Sequence, residues 1–374
     1  MRRAQRKAGE RQYGMALRTA TATAGIRPAT EEVLDRLQAK HPASGGLSEA
    51  EEERFGAYAA RIVASYKDGA PTAPVAAGEP PRPPPVRLEL STDALRRALV
   101  TAPKGSAGGG SGWLLDILRC MGLDGGEEGL ALVHGLAAPI AQGRLPARVA
   151  DALGACTLIG LAKGESDVRP IACGESLHRI AFRALCIQFG GEWCDHLCPM
   201  QYSVRAKDGA AQLSLALRSL VQQALAADED FQVVKFDIRN AFNEVKRAAV
   251  LEQLQLHFPA LLPGICSFYL RPGVLHCRGA DGVVHKLLSR GGVRQGDPIA
   301  PFLFALALHS VLRRVQAEWG PRGVFVFAFA DDGKLAGPPV ATCGALKRVE
   351  ELLPGVGLSM SDGADKNVAC TLCK

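Results

Sequence analysis

Apolar residues return at helical spacing over 31–68, with Leu34 and Leu37 and then Phe55, Tyr58 and Ile62 on one side, and this predicts helix. The pattern stops at PTAPVAAGEPPRPPPV, residues 71–86, where the proline content predicts a semi-rigid linker of polyproline character. STDALRRALV, 91–100, opens on a Ser/Thr/Asp cap cluster and predicts a helix, followed by the glycine loop PKGSAGGGSGW at 103–113. From about residue 145 strand and helix signals alternate densely. Strands are predicted at 155–163 and 231–238, and helices at 175–189, 209–226, 246–258, 298–316 and 344–353. GVLHCRGADGVVHKLL reads as a hairpin turning at Asp281-Gly282, and FAFADDGKLAG, 327–337, as a second hairpin turning at Asp332-Gly333. This order predicts an α+β fold with helices on one face of an antiparallel sheet. Composition divides the N-terminal part into a basic arm without fixed structure (1–30), a helical segment (31–70) and the linker (71–90).

Hydrophobic residues at 47% and charged ones at 22% suit a chain with a sizeable core. No apolar run is long enough to span a membrane, and the N-terminus lacks the apolar block of a secretory signal. The net charge of +6 is carried by the arm, where Arg2, Arg3, Arg6, Lys7, Arg11, Arg18 and Arg27 face Glu10 alone. Such an arm suits nucleic acid or another polyanion; a solvated leader or an organelle transit peptide has the same composition. Of 11 cysteines, Cys370-x-x-Cys373 and the loop-like Cys194-x-His196-x-Cys198 each resemble half a zinc site. Without second halves, free thiols in a reducing compartment are the expectation.

The chemistry of the second hairpin is more pointed. An apolar strand runs directly into Asp331 and Asp332, and another ends at Asp237. If the two strands are neighbours, three carboxylates converge at one sheet end, a hard-oxygen set suited to Mg²⁺. Asp-Gly turns are common, so the pair alone does not distinguish a metal site from turn chemistry.

VVKFDIRNAF, GGVRQGDPIAPFLFALALHSVL and FAFADDGKLAG occur in the order and spacing of motifs A, B and C of reverse transcriptases, and the chain resembles the non-LTR (LINE-like) retrotransposon type. LIGLAKGESDVRPIACGESLHRIAFRAL resembles the fingers motifs, PKGSAGGGSGWLLDIL the loop preceding the fingers, and GLSMSDGADKNVACT motif D. The likeness covers roughly residues 90–374. It implies a right-hand polymerase with fingers and the start of the palm at 91–230 and palm at 231–374. It implies RNA-directed DNA synthesis, with an RNA template, a DNA primer and dNTPs as partners, no membrane, and two Mg²⁺ ions that Mn²⁺ could replace. Asp237, Asp331 and Asp332 would be the catalytic acids. Asp237, Asp331 and the Ile238 carbonyl would hold metal, with Asp332 less directly involved. Lys163 and Arg169 would receive the triphosphate, and Phe242 would lie against the sugar and exclude a 2′-OH. Gln295 would bond near the nascent pair, Gly296 would allow close backbone approach, and Lys366 would donate a proton to pyrophosphate. From spacing alone Phe242 is equally a core aromatic, and Lys163, Arg169 and Lys366 equally solvated cations.

Several positions depart from the family pattern: Phe329 where tyrosine often stands, Gly333 where a hydroxyl or β-branched residue is usual, and AGGGSG where a proline is expected. The chain ends just after the motif D stretch, so no thumb is expected. Three alternatives stay open: a viral RNA-dependent RNA polymerase, a group II intron type, and a retroelement relic that binds nucleic acid without turnover. Nuclear or cytoplasmic localisation follows from the resemblance alone, and the oligomeric state is open.

Overall fold

The computed structural model describes residues 25–68, 87–163, 167–362 and 367–372. Most of the basic arm, the proline-rich stretch 71–86, Lys366 and Cys373 lie outside the described residues. The helical pattern of the N-terminal segment resolves into α1 (Glu31–Ala39) and α2 (Glu49–Asp68), separated by a turn through Gly45 and Gly46. Helix α3 (Thr92–Thr101) begins as its sequence predicts, with the Ser91 hydroxyl accepting from the Ala94 N–H at 3.3 Å. The longer helices that follow are α4 (Gly126–Ala141), α5 (Ser176–Gln188), α6 (Gly209–Ala227), α7 (Arg247–His257), α8 (Leu262–Tyr269), α9 (Ala300–Trp319) and α10 (Pro339–Leu352). Cys194-x-His196-x-Cys198, loop-like in composition, instead lies on the helix Gly190–Leu197 and its end. Trp193 on that helix is buried against Phe302, which outweighs the local composition.

The strands are β1 (Cys156–Lys163), β2 (Asp167–Gly174), β3 (Phe231–Asp237), β4 (Gly273–Arg278), β5 (Val284–Ser289), β6 (Phe325–Phe329), β7 (Asp332–Gly337) and β8 (Val368–Leu372). They form two four-stranded sheets, ordered β2-β1-β4-β5 and β6-β7-β3-β8. The first is held together by a short parallel pairing of β1 with β4, while the second is antiparallel throughout. Helix α9, apolar on nearly every turn, is buried along most of its length and packs with α7 and α10 beneath the second sheet. A smaller cluster joins Val33 and Leu37 of α1 to Leu158, Val168 and Leu275 under the first sheet. A third joins Leu213 of α6 to Phe231, Phe327 and Ala336. Among the described residues no helix is long and apolar enough to cross a membrane.

The turn of the β6–β7 hairpin is displaced from its expected place. Phe329 pairs with Asp332, so the two-residue loop is Ala330–Asp331, with Ala330 in the left-handed region at φ 56. Gly333 sits inside β7 opposite Phe236, where a Cβ would collide with the buried Phe236 ring. Its glycine therefore serves close packing in a strand, not a turn. The same contact explains why a β-branched residue is excluded after the two acids.

His178 on α5 lies between the rings of Phe182 and Phe268, with centroids 4.3 and 4.4 Å away. Burial pushes its pKa down to about 4, against the opposing pull of the Asp297 carboxylate 3.7 Å away. The folded chain keeps this imidazole neutral where the unfolded one, with a value near 6.5, takes a proton. Stability is therefore complete above the unfolded value and falls as pH drops from about 6.5 to 4, by on the order of 3 kcal/mol for this group. His178→Leu is expected to flatten that limb in urea unfolding at stepped pH; an unchanged slope would remove His178 as its source.

Candidate active site

The β3–β7 register sets Asp237 directly opposite Asp332, and the Ile238 N–H donates to the Asp331 carbonyl at 3.2 Å. All three acids thus meet at one end of the second sheet. Asp331, at the hairpin tip, is half-buried. Burial raises its pKa, Asp237 and Asp332 raise it further by like-charge repulsion, and Arg169 opposes them. Asp237 is oriented by a segment far along the chain. The Ser361 hydroxyl donates to Asp237 Oδ2 at 2.7 Å, and the Ser361 N–H donates to the Asp237 carbonyl at 2.8 Å. The Asp237 N–H in turn donates to Asn367 Oδ1 at 3.2 Å. The Asp332 carboxylate pairs with Lys235 at 3.1 Å and does not line the pocket that the other two share.

That pocket has a volume of about 350 Å³ and is lined by Asp237, Ile238, Asp331, Lys163, Arg169 and Phe242, with Gln295 at its edge. It is also lined by the adjoining ends of β1 and β2, where Lys163 pairs with Asp167 in register. Lys40, at the end of α1, also lines the pocket and reaches Asp167 at 3.1 Å, while Lys163 stands 3.9 Å from the same oxygen. Burial raises the Asp167 pKa, but the Val168 N–H and both lysines outweigh it and hold the carboxyl below its usual range. The pocket therefore has one wall with Asp237 and Asp331, joined by Arg239, and another with Lys40, Lys163 and Arg169, joined by Asp167 between the two lysines.

Between the walls sit Phe242 and Gln295. Phe242 stacks on Phe304 of α9 with centroids 5.0 Å apart, and it lines the pocket, so it is both a packing and a pocket aromatic. Gln295 is aimed by its neighbours. Arg294 is buried, donating to the carbonyls of Gly154 (2.7 Å) and Phe268, and Asp297 is buried, accepting from Tyr269 Oη at 2.7 Å. With residues on both sides anchored inward, Gln295 is left to the pocket, its carbonyl accepting from the Ala172 N–H at 2.7 Å. Gly296 has φ 114, and a Cβ there would collide with the Ala172 carbonyl, so close approach to β2 requires glycine.

The structure thus gathers every sequence-predicted site residue among the described ones into the pocket lining except Asp332, which stands opposite Asp237 and pairs with Lys235, and Gly296, which packs against β2. Lys366 lies outside the described residues. Lys40 and Ser361 join the site without any local motif to announce them. Among the described residues no group of three side chains is close enough to hold a metal unaided. Two facing carboxylates nevertheless fit Mg²⁺, which usually keeps several waters and binds through one or two carboxylates and substrate phosphate.

The model of the family described as reverse transcriptase (RNA-dependent DNA polymerase) matches residues 161–361. The chain is similar to the Retrovirus-related Pol polyprotein from type-1 retrotransposable element R2 of Popillia japonica, at 30% identity over 175 residues, 45% of this chain and 24% of that protein. It is similar to the corresponding polyprotein of Nasonia vitripennis at 26% identity, covering 41% of this chain and 16% of that protein. The chain spans about a quarter or less of the length of these curated relatives. It is also similar to the solved telomerase from Candida albicans, at 10% identity and a TM-score of 0.47, covering 62% of this chain and 43% of that one. With the family model matched over more than half of its length, the protein belongs to the reverse transcriptase (RNA-dependent DNA polymerase) family.

Proposed function

We propose that this domain, of the non-LTR (LINE-like) type, adds dNTPs to a primer 3′-OH along an RNA template. The observation that carries the proposal is one pocket with Asp237 and Asp331 on one wall and Lys40, Lys163 and Arg169 on the other. Fingers correspond to the layer built on β2-β1-β4-β5 and palm to the layer built on β6-β7-β3-β8. In chain terms these are about residues 91–230 and 231–374, with the β4–β5 hairpin crossing to the fingers. Asp237 and Asp331, with the Ile238 carbonyl, would hold Mg²⁺ (or Mn²⁺), which when bound supplies Lewis-acid activation and charge neutralisation at the reacting phosphate. Ser361 fixes the Asp237 carboxylate so that the site is formed before substrate arrives. Lys163 and Arg169 offset charge on the β- and γ-phosphates, the arginine through its planar fork. Lys40 adds to this wall and positions Asp167, which in turn restrains Lys163. Gln295 is offered to the nascent pair, and Lys366 is assigned the proton for pyrophosphate. A nuclear or cytoplasmic place of action accompanies a retroelement role.

The phenyl ring of Phe242, braced by Phe304, is placed to exclude a 2′-OH. Phe242→Ala is expected to narrow the preference for dNTP over rNTP by roughly 10- to 100-fold in kcat/KM, a difference of ~1–3 kcal/mol. Unchanged discrimination in single-nucleotide incorporation would assign the ring to packing alone. The test of the whole reading is primer extension on an RNA template with Mg²⁺ and dNTPs, wild type beside Asp331→Asn. Extension by neither protein, with dNTP and metal binding also absent, would overturn it.

A further inference from the structure

Cys194-x-His196-x-Cys198, which resembles half a zinc site in sequence, divides between two faces of one helix end. His196 meets His257 and His309, with ring centroids 4.4 and 5.1 Å away. Cys194 and Cys198, one helical turn apart, bring their sulfurs to 3.8 Å of each other. Among the described residues no third ligand joins them in a metal site, and both thiols are free and partly exposed. Burial, and then the sulfur of Cys194, push the Cys198 thiol up to about 11, so Cys198 keeps its proton and can donate it to a Cys194 thiolate. The body of the helix is fixed, with Trp193 stacked on Phe302 and Leu197 fully buried. Cys198 lies just past the last helical residue, in extended backbone at ψ 150. It begins a segment that runs along β6. The Ala328 N–H donates to the Met200 carbonyl at 2.7 Å, and the Tyr202 N–H donates to the Ala328 carbonyl at 3.1 Å. Cys198 Sγ lies 3.5 Å from the Gln201 carbonyl, and Gln201 Nε2 donates to the Ala305 carbonyl of α9 at 2.8 Å. β6 is an outer strand of the second sheet and leads directly into Ala330–Asp331.

We propose that Cys194 and Cys198 are a thiol modification site, closed to an internal disulfide by low-molecular-weight disulfides and reopened by thiols. The Cys194 thiolate attacks one sulfur of the small disulfide, forming a mixed disulfide and releasing one small thiol. Cys198 then gives up its proton and attacks the Cys194 sulfur, closing the S–S bond and releasing the second small thiol. Two electrons pass from the pair to the oxidant, and the two protons lost by the pair appear on the two thiols released. A disulfide holds its Cβ atoms about 3.5–4.5 Å apart, whereas positions one helical turn apart stand ~5–6 Å from each other. Closing the bond therefore requires movement. With Trp193 and Leu197 anchored, that movement falls on Cys198 and on the residues after it that hold the edge of β6. The consequence for Asp331 rests on the polymerase reading, and the thiol chemistry does not.

The test treats the full chain with oxidised glutathione and maps its thiols by differential alkylation and peptide mass spectrometry, with amide hydrogen exchange read on the same samples. Wild type is expected to form an internal Cys194–Cys198 disulfide that dithiothreitol reopens. Cys198→Ser is expected to stop at the mixed disulfide on Cys194, and Cys194→Ser to leave Cys198 unmodified. Exchange of the Ala328 amide is expected to quicken by about tenfold on oxidation of the wild type and to stay unchanged in the double serine variant. On the polymerase reading, primer extension falls with it by about tenfold and returns on reduction. Serine matches cysteine closely in size, and both positions are partly exposed, so the double variant keeps the fold and its basal extension. A wild type that stays reduced, or that carries glutathione on Cys194 without closing the bond, would overturn the proposal. So would a closed disulfide that leaves Ala328 exchange unchanged. A chain without primer extension still reports its thiol state and its exchange, so the two readings fail separately.

Discussion

Asp331→Asn is expected to reduce primer extension by roughly 10³-fold or more, a loss of ~4 kcal/mol in transition-state stabilisation, while the metal-free protein becomes slightly more resistant to heat. Both effects have one cause. The Asp331 carboxyl is pushed up by burial and by Asp237 and Asp332, so its charge opposes folding unless a cation is near. An amide of the same shape removes the repulsion and, on the proposed reading, also removes an anionic metal ligand. Because the group is partly exposed, water screens the gain, and about 1 kcal/mol or less is expected. Thermal unfolding in EDTA and extension in Mg²⁺, on the same two samples, make the comparison. A variant that loses stability and activity together would mean that Asp331 supports the hairpin and does not serve chemistry.

The second large effect lies away from the pocket. Arg247, the first residue of α7, is 1% exposed, and its guanidinium donates to the carbonyls of Gly292 (3.1 Å), Tyr269 (3.2 Å), Arg271 (3.0 Å) and Ser289 (2.8 Å). Burial lowers its pKa to about 9, still above neutrality, so the group is charged at pH 7 and its charge is met by carbonyl dipoles. Arg247→Leu leaves several buried acceptors unpaired and is expected to cost about 3–5 kcal/mol in urea unfolding. Two of these carbonyls, those of Ser289 and Gly292, belong to the segment that leads into Gln295. The Val293 N–H donates to the Phe242 carbonyl at 2.6 Å, so a loosened turn also disturbs Phe242. A higher KM for dNTPs is expected in whatever folded protein remains. Stability within about 0.5 kcal/mol of wild type would refute the role of Arg247 as a clamp.

Arg247 and Arg294 support the shape of the pocket without lining it. Each spends its donors on backbone carbonyls at the ends of strands and helices, which would otherwise be buried and unpaired. Arg294 and Asp297 face inward so that Gln295 between them faces out. The fingers and palm layers of this reverse transcriptase fold are therefore joined by buried polar contacts as well as by the apolar core around α9.

From sequence alone, strand and helix periodicity locates most of the elements, and the positions of Asp237, Asp331, Lys163, Arg169, Phe242 and Gln295 are legible because each lies in a short ordered block. Local pattern suffices for the elements, since the side-chain alternation of a strand is a property of a few neighbouring positions, whereas the site positions are legible through the family motifs that those blocks resemble. The turn of the β6–β7 hairpin is not legible in the same way. Its Asp332-Gly333 pair is a local turn signal, whereas cross-strand register and the Phe236 ring assign Gly333 to the strand. Only tertiary structure brings Lys40 to Asp167, Ser361 to Asp237 and Asp332 to Lys235. It also joins β1 to β4, which no periodicity couples. These are contacts between residues distant in the chain. Their free energy comes from what the folded core leaves open, a quantity that no window of sequence contains.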